Sequence, residues 1–285
     1  MEDALRLISS RDNPRFKQLQ KLIAQPRLLR KQGLAVAEGI HLLQELASWQ
    51  GLVFQEVWLA DSLRHHREWA AIENALDAAL ESHACEVFEV PDELYGRLSE
   101  LEQGRGPLVV FRTPLTDDNT GTGDRPPHDI LLLDGIQDPG NVGTLIRTAA
   151  AVGIREIWTT PDCAWVWSGK VLRAAMGGHK HVRLPGLPDN ALERLHRWAD
   201  AGTPVRLTQL AQSASVFETD LRLPGVWLLG SEGLGVSDAW SALANTHLRI
   251  PMQAGVESLN VASAAAVCLY EQWRQRQAGH PSGAA

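Results

Sequence analysis

No stretch of this sequence reaches the roughly 18 to 20 uninterrupted apolar residues that a membrane-spanning helix needs. The opening residues, MEDALRLISSRDNPR, hold no apolar core of a secretory leader either. Together the two absences predict a cytoplasmic protein with no membrane partner. Cysteine is scarce: Cys85, Cys163 and Cys268 stand far apart, with no CxxC pair and no histidine cluster at ligand spacing. That excludes a disulfide framework and gives no support to a zinc site, so each cysteine reads as a small buried side chain in a reducing compartment. Neither GxGxxG nor GK[ST] occurs where a strand runs into a glycine loop. Both standard phosphate-binding patterns are therefore missing, which weighs against a nucleotide-dependent enzyme of small-molecule metabolism. No internal repeat is visible.

What is present is a chain of 285 residues, 44% apolar and 21% charged, in the range of a soluble globular protein with room for two domains. The net charge of −7 argues on its face against a nucleic-acid partner. Its distribution argues the other way. Arg6, Arg11, Arg15, Lys17, Lys21, Arg27, Arg30 and Lys31 face only Glu2, Asp3 and Asp12 within the first 33 residues, so the rest of the chain is strongly acidic. A basic segment at one end of an acidic protein is either an RNA-docking arm or a solvated helix face. Asn13-Pro14 reads as an N-cap followed by proline at the first helical position. Phe16, Leu19, Leu22 and Ile23 then recur at helical spacing until Pro26 stops the run.

After Gly33 strands and helices alternate: LAVAEG, IHLLQELASW, LVFQEVWLA, REWAAIENALDAALE, CEVFEV, PDELYGRLSE and PLVVFRT, which is the pattern of an α/β domain. A polar stretch rich in Pro, Gly, Asp and Thr follows and buries little, so we expect domains over 1–113 and 128–278 joined by a linker over 114–127. In the second half we expect strands DILLLD, IREIWTT, HVRL, PVRLTQL, VWLLG and HLRIPM. Helices are expected near 142–152, 168–176, 190–200 and 261–276, giving a largely parallel sheet. Trp165 and Trp167 read as core or interface packing rather than as base-stacking platforms.

Three loops leave strands in this second half, where open parallel sheets bind their ligands. In the first, 134–153, Asn141 is either a helix N-cap or a functional amide. Arg147 has Gly143, Ala150 and Ala151 a turn away on its face, leaving room for a close neighbour or ligand. In the second, 226–240, Glu232 sits among Gly230, Gly233 and Gly235, which is either a tight surface turn or a backbone a ligand approaches closely. In the third, 248–273, Ser258 and Asn260 are either N-cap or functional side chains, and the helix that follows has small residues, Ala262 to Ala266, that admit a neighbouring backbone at short range.

In this order the loops carry NxGxxxRxAxxxG from Asn141 to Gly153, LGSEGxG from Leu229 to Gly235, and IPMxxxxxSLNVAxAxxxxxYE from Ile250 to Glu271. The set resembles the signature motifs of the SpoU/TrmH family of RNA ribose 2′-O-methyltransferases, a branch of the SPOUT superfamily. LRAAMGGH at 172–179 resembles a further family helix, although Lys180 and His181 depart from the more apolar stretch usual there. NPRFKQLQKL followed by LAVAEGIHLLQE resembles the ribosomal-protein-like RNA-binding domain of members that act on large-subunit ribosomal RNA.

The resemblance implies an α/β fold whose C-terminal methyltransferase domain holds a trefoil knot, preceded by an α/β RNA-binding domain, and a homodimer. It implies S-adenosylmethionine as methyl donor, held by Gly230, Ile250 and Leu259. The reacting hydroxyl would be surrounded by Asn141, Arg147, Glu232, Ser258 and Asn260. RNA would dock on Arg11, Arg15, Lys17, Lys21, Arg27 and Arg30. A guanidinium is a poor proton acceptor, so we expect Arg147 to clamp a phosphate and polarise the hydroxyl, and Glu232 to fix Arg147 or the loop. The chemistry requires no metal and leaves the general base open. The alternatives are the same reaction on transfer RNA and a non-catalytic RNA-binding protein of this fold.

Overall fold

The computed structural model describes residues 5–82, 85–100, 106–115, 123–209 and 213–278. Residues 116–122 of the expected linker lie outside them. The chain divides into two compact units, Met1–Pro114 with Trp167–Gly177, and Leu115–Val166 with Gly178–Ala285. The segment Trp167–Gly177, which the sequence reading puts inside the second domain, thus groups with the first unit.

The first unit runs β1 (Leu5–Leu7), α1 (Pro14–Ala24), α2 (Pro26–Gln32), β2 (Leu34–Glu38), α3 (Ile40–Ala47), β3 (Phe54–Ala60), α4 (Trp69–Ser82), β4 (Glu86–Val90), α5 (Asp92–Tyr95) and β5 (Leu108–Arg112). The sheet order is β1-β4-β3-β5-β2, with β5 antiparallel to both neighbours and the other pairs parallel. Helix α1 starts as its sequence predicts: the Asn13 side chain accepts from the Arg15 amide at 2.9 Å, with Pro14 at the first helical position. Pro26 ends α1, but it also opens α2, because a proline's missing N–H costs nothing in a first turn. Phe16, Leu19 and Leu22 are buried, with Phe16 edge-on to Trp58 and Trp58 4.5 Å from Phe88. Strand β1 escapes the sequence reading, since three residues with two exposed carry no alternation.

The second unit runs β6 (Ile130–Asp134), α6 (Pro139–Ala151) and β7 (Glu156–Thr159). After α7 (Gly169–Ala175), which belongs to the first unit, it continues with α8 (Ala191–Asp200), β8 (Val205–Thr208), β9 (Ala214–Ser215), β10 (Val226–Gly230), α9 (Asp238–Ser241), β11 (Thr246–Arg249) and α10 (Val261–Ala278). All its strands are parallel, in the order β7-β6-β10-β8-β11-β9. Ile130, Leu132, Trp158, Trp198, Val226 and Leu228 form the core, so β6 and β10 are apolar almost throughout, as central parallel strands must be. The predicted strand HVRL is absent. Its place is taken by a 3₁₀ turn over Gly178–His181 and a single bridge from Arg183 to Glu156, and Pro185 then removes the next N–H that could extend the ladder. Trp167 is buried, stacked on Trp49 at 6.2 Å and edge-on to Phe111.

Helix α10 packs along α6 and touches β10. Its C-terminal half enters a buried polar cluster. Asp129 Oδ1 accepts from the Gly225 amide at 3.0 Å and from Gln272 Nε2 at 3.2 Å, and the carboxylate is paired with Arg276. Arg206, 0% exposed, lies over the Trp227 ring at 5.3 Å and donates to the carbonyls of Leu221 and Leu223. Burial lowers its pKa to about 10.

Candidate active site

The register Gly230 to Asp134 ends β10 and β6 side by side, so the loops after both strands leave the same edge of the sheet. In the first loop Asp138, not Asn141, caps α6: its side chain accepts from the Asn141 amide at 2.7 Å. Asp138-Pro139 is the same cap-and-proline signature as Asn13-Pro14, and was legible in the sequence. The cap frees the Asn141 side chain, one turn into the helix, for other partners. In the second loop the Gly235 amide donates to the Ser231 carbonyl at 2.8 Å and closes a tight turn over Gly230. A Cβ on Gly230 would lie 2.0 Å from the Gly235 carbonyl carbon, so only glycine permits the closure. Glu232 and Leu234 project from this turn, and Leu234 is 94% exposed. In the third loop Asn260 caps α10 through its Oδ1, which accepts from the amides of Ala262 at 3.0 Å and Ser263 at 3.2 Å.

The three loops meet in a triangle of side chains. Asn141 Nδ2 donates to Glu232 Oε1 at 3.0 Å. Asn260 Nδ2 donates to the same oxygen at 2.6 Å and to Asn141 Oδ1 at 2.9 Å. One amide thus caps a helix with its oxygen and joins two loops with its nitrogen.

One cleft takes in two members of the triangle, and a second is lined by the residues that precede the third in the chain. The larger, about 520 Å³, is lined by Asn141 and Glu232 together with Asp134, Gln137, Asp138, Asp162 and the glycine turn, and no lysine or arginine lines it. The smaller, about 180 Å³, is lined by Thr208, Gln209, Ile250, Met252, Glu257, Ser258 and Leu259, among others. Ile250, Leu259 and Ser258 therefore share one recess, and Gly230 underlies the turn that carries Glu232. Sequence reasoning missed Thr208, Gln209 and Met252. The first two leave β8, and nothing in their own sequence pattern marks that strand's end as part of a site.

Arg147 stands apart from the triangle. It is exposed on α6, six residues beyond Asn141 and so about 120° round the helix, and it does not line the larger cleft. The close neighbour that its small-residue face admits is Gly178: a Cβ there would lie 3.1 Å from the Arg147 Cα. Glu232 does not fix Arg147, since its bonds go to the two asparagines and no ion pair joins it to a cation among the described residues. It does hold its own loop to α6 and α10.

The basic residues of the first unit fall into two sets. Arg15 is committed to Glu56 and Glu86, both at 2.9 Å, and Lys17 to Asp12 at 2.7 Å. Arg11, Lys21, Arg27 and Arg30 are exposed, with no ion-pair partner among the described residues. Among the described residues no helix is long and apolar enough to cross a membrane, and no group of His, Cys, Asp and Glu side chains is placed to hold a metal ion.

Residues 129–270 match the SpoU rRNA methylase family. The chain is 34% identical to an uncharacterised tRNA/rRNA methyltransferase of Synechocystis, over 97% of this chain and 96% of the relative. It is 30% identical to a 23S rRNA uridine 2′-O-methyltransferase of Streptomyces viridochromogenes, over 97% of this chain and 94% of that one. The crystal structure of the SpoU methyltransferase AviRb from the same organism, in complex with AdoMet, superimposes with a TM-score of 0.79 at 27% identity, over 94% of this chain and all of that one.

Proposed function

The chain belongs to the SpoU rRNA methylase family, and from that premise we propose that it transfers a methyl group from S-adenosylmethionine to a ribose 2′-hydroxyl of large-subunit ribosomal RNA. The observation that carries this reading is the Asn141–Glu232–Asn260 triangle, two members of which line one cleft while the third directly follows Ser258 and Leu259 of a second. A methyl-transfer enzyme needs one recess for the donor, one for the acceptor, and polar groups held rigidly where they meet.

The smaller cleft suits the donor. Ile250, Met252 and Leu259 offer an apolar wall to an adenine ring, and Thr208, Gln209, Ser258 and Glu257 offer polar groups to a ribose and a charged tail. At about 180 Å³ it is smaller than the roughly 300–1,000 Å³ of sites that enclose a whole ligand. The donor therefore extends beyond it towards the triangle. When bound, it supplies a methyl carbon already activated by a sulfonium. The protein's task is then to aim the ribose oxygen and dispose of its proton. Asn141 and Asn260 orient Glu232. Arg147, outside a cleft that has no cation of its own, clamps the phosphate next to the reacting ribose, and Arg11, Lys21, Arg27 and Arg30 hold more distant backbone.

A trefoil knot in the second unit is part of the same proposal. Support comes from the non-sequential strand order and from α10 returning to pack on α6. A homodimer is proposed from the exposed aromatic pair Tyr270 and Trp273 on α10, 48% and 42% exposed with ring centroids 6.2 Å apart. A ribosomal-protein-like first domain and a cytoplasmic location complete the reading.

The test is to map ribose methylation across total RNA with and without the gene. One site lost from large-subunit ribosomal RNA is expected. A site lost from transfer RNA instead would redirect the substrate, and no lost site would defeat the reading.

A further inference from the structure

We infer that the free carboxylate oxygen of Glu232 is the proton acceptor for the reacting hydroxyl, an assignment that rests on the 2′-O-methylation reading above. Both amide donors of the triangle converge on Oε1. Oε2 has no partner among the described residues, and Glu232 lines the larger cleft. A carboxylate anchored through one oxygen keeps the other as an unused acceptor in a fixed place, which is what a general base requires.

Glu232 is set apart from the other candidates by chemistry and by its hydrogen bonds. Arg147 carries a guanidinium, which has no acceptor. No histidine lines either cleft. Asp138 and Asp134 also line the larger cleft, each bonded through one oxygen, Asp138 to the Asn141 amide at 2.7 Å and Asp134 to the Ser237 amide at 2.7 Å, but neither carboxylate is bonded to Asn260. Asp162 lines the larger cleft and Glu257 the smaller, and among the described residues no hydrogen bond ties either side chain to Asn141 or Asn260. Glu232 is the carboxylate bonded to Asn260, which directly follows Ser258 and Leu259 of the donor recess. It therefore links the larger cleft, which it lines, to the residue that follows the donor recess in the chain.

The step balances. The ribose oxygen forms a bond to the methyl carbon as the carbon–sulfur bond breaks, and that electron pair stays on sulfur to leave a neutral thioether. The hydroxyl proton passes to Glu232 Oε2, and the resulting carboxylic acid, exposed to solvent, returns it to water. Asn141 and Asn260 are positioning residues in this scheme.

Because both bonds of the triangle end on one oxygen, Glu232→Gln keeps that acceptor and replaces only the free oxygen with an amide nitrogen. We expect its single-turnover methylation rate, measured on ribosomal RNA from cells lacking the gene, to fall about 10²–10⁴-fold. Affinities for S-adenosylmethionine by calorimetry and for RNA by filter binding should stay within about twofold, as general-base loss affects chemistry rather than ground-state binding. A second variant, Glu232→Ala, should regain part of its rate when formate is added. A Glu232→Gln rate within about threefold of wild type, beside a wild-type protein that methylates, would overturn this assignment alone. So would loss of donor or RNA affinity in proportion to rate, or no formate rescue. A wild-type protein that leaves every ribose unmethylated would overturn the functional reading as well.

Discussion

Helix α10 enters a hydrogen-bonded cluster at each end, and the two clusters use the same side-chain types to opposite effect. At its start Asn260 joins Asn141 and a carboxylate, Glu232, on exposed loops; in its second half Gln272 and Arg276 join a carboxylate, Asp129, beneath the sheet. Asp129 Oδ1 accepts from the Gly225 amide, Gln272 and Arg276, and Oδ2 meets Arg276, so its acceptor capacity is filled. Glu232 is half used. A polar cluster that is both buried and saturated holds structure together, whereas one that is exposed with an acceptor to spare is free to take a substrate proton.

That contrast breaks most sharply at Asp129. Asp129→Ala strands Arg276 and leaves Arg206 buried without its nearest countercharge, 4.0 Å away. It should cost about 3–5 kcal/mol in urea unfolding, as for other broken buried pairs. A loss below about 1 kcal/mol would mean that the buried cluster is no more structural than the exposed one.

A smaller effect is expected at His179, buried beneath the turn that packs on α6. Its Nε2 lies 2.7 Å from the Val166 carbonyl, and burial lowers its pKa from 6.5 to about 4. Above pH 6.5 the ring is neutral in both folded and unfolded chains, and stability is undiminished. Between 6.5 and about 4 the unfolded chain takes a proton that the folded one refuses, so stability falls as pH falls, by up to about 1.4 kcal/mol per unit. Thermal midpoints measured from pH 7 to pH 5 should decline more steeply for the wild type than for His179→Asn. Equal slopes would remove His179 from the account.

The smallest change in stability is expected at the exposed cluster. Asn260→Ser retains a capping oxygen and loses the amide nitrogen that ties Glu232 to Asn141, so stability should stay within about 0.5 kcal/mol of wild type, where Asn260→Ala loses about 1 kcal/mol. Methylation should fall at least tenfold in both. If activity tracks the cap instead, the triangle has no chemical role.

The strongly periodic and strongly apolar segments were legible before the structure. α1 and its cap, the central strands β6 and β10, and the long α10 lie where the pattern puts them. The miscast elements are short or decided by partners. β1 exists because β4 is beside it, and HVRL has an edge to pair with at only one residue; α7 lies where its pattern puts it and packs with the first unit. At the site, residue types and motif spacing named Asn141, Glu232 and Asn260. Asp138-Pro139 carried its cap signature in the sequence as well, but nothing there revealed that Glu232 bonds to the two asparagines and not to Arg147.

Local chemistry alone determined where helices can start, which strands must be buried on both faces, and which loops carry polar groups worth examining, because caps, apolar runs and glycine turns act between near neighbours in the chain. Only the tertiary structure decided which oxygen of Glu232 is spent and which is left. That choice depends on two amide nitrogens, one 91 residues before it and one 28 after, arriving at a single point. No sequence pattern encodes such a meeting; the register of two parallel strands and the packing of α10 on α6 do.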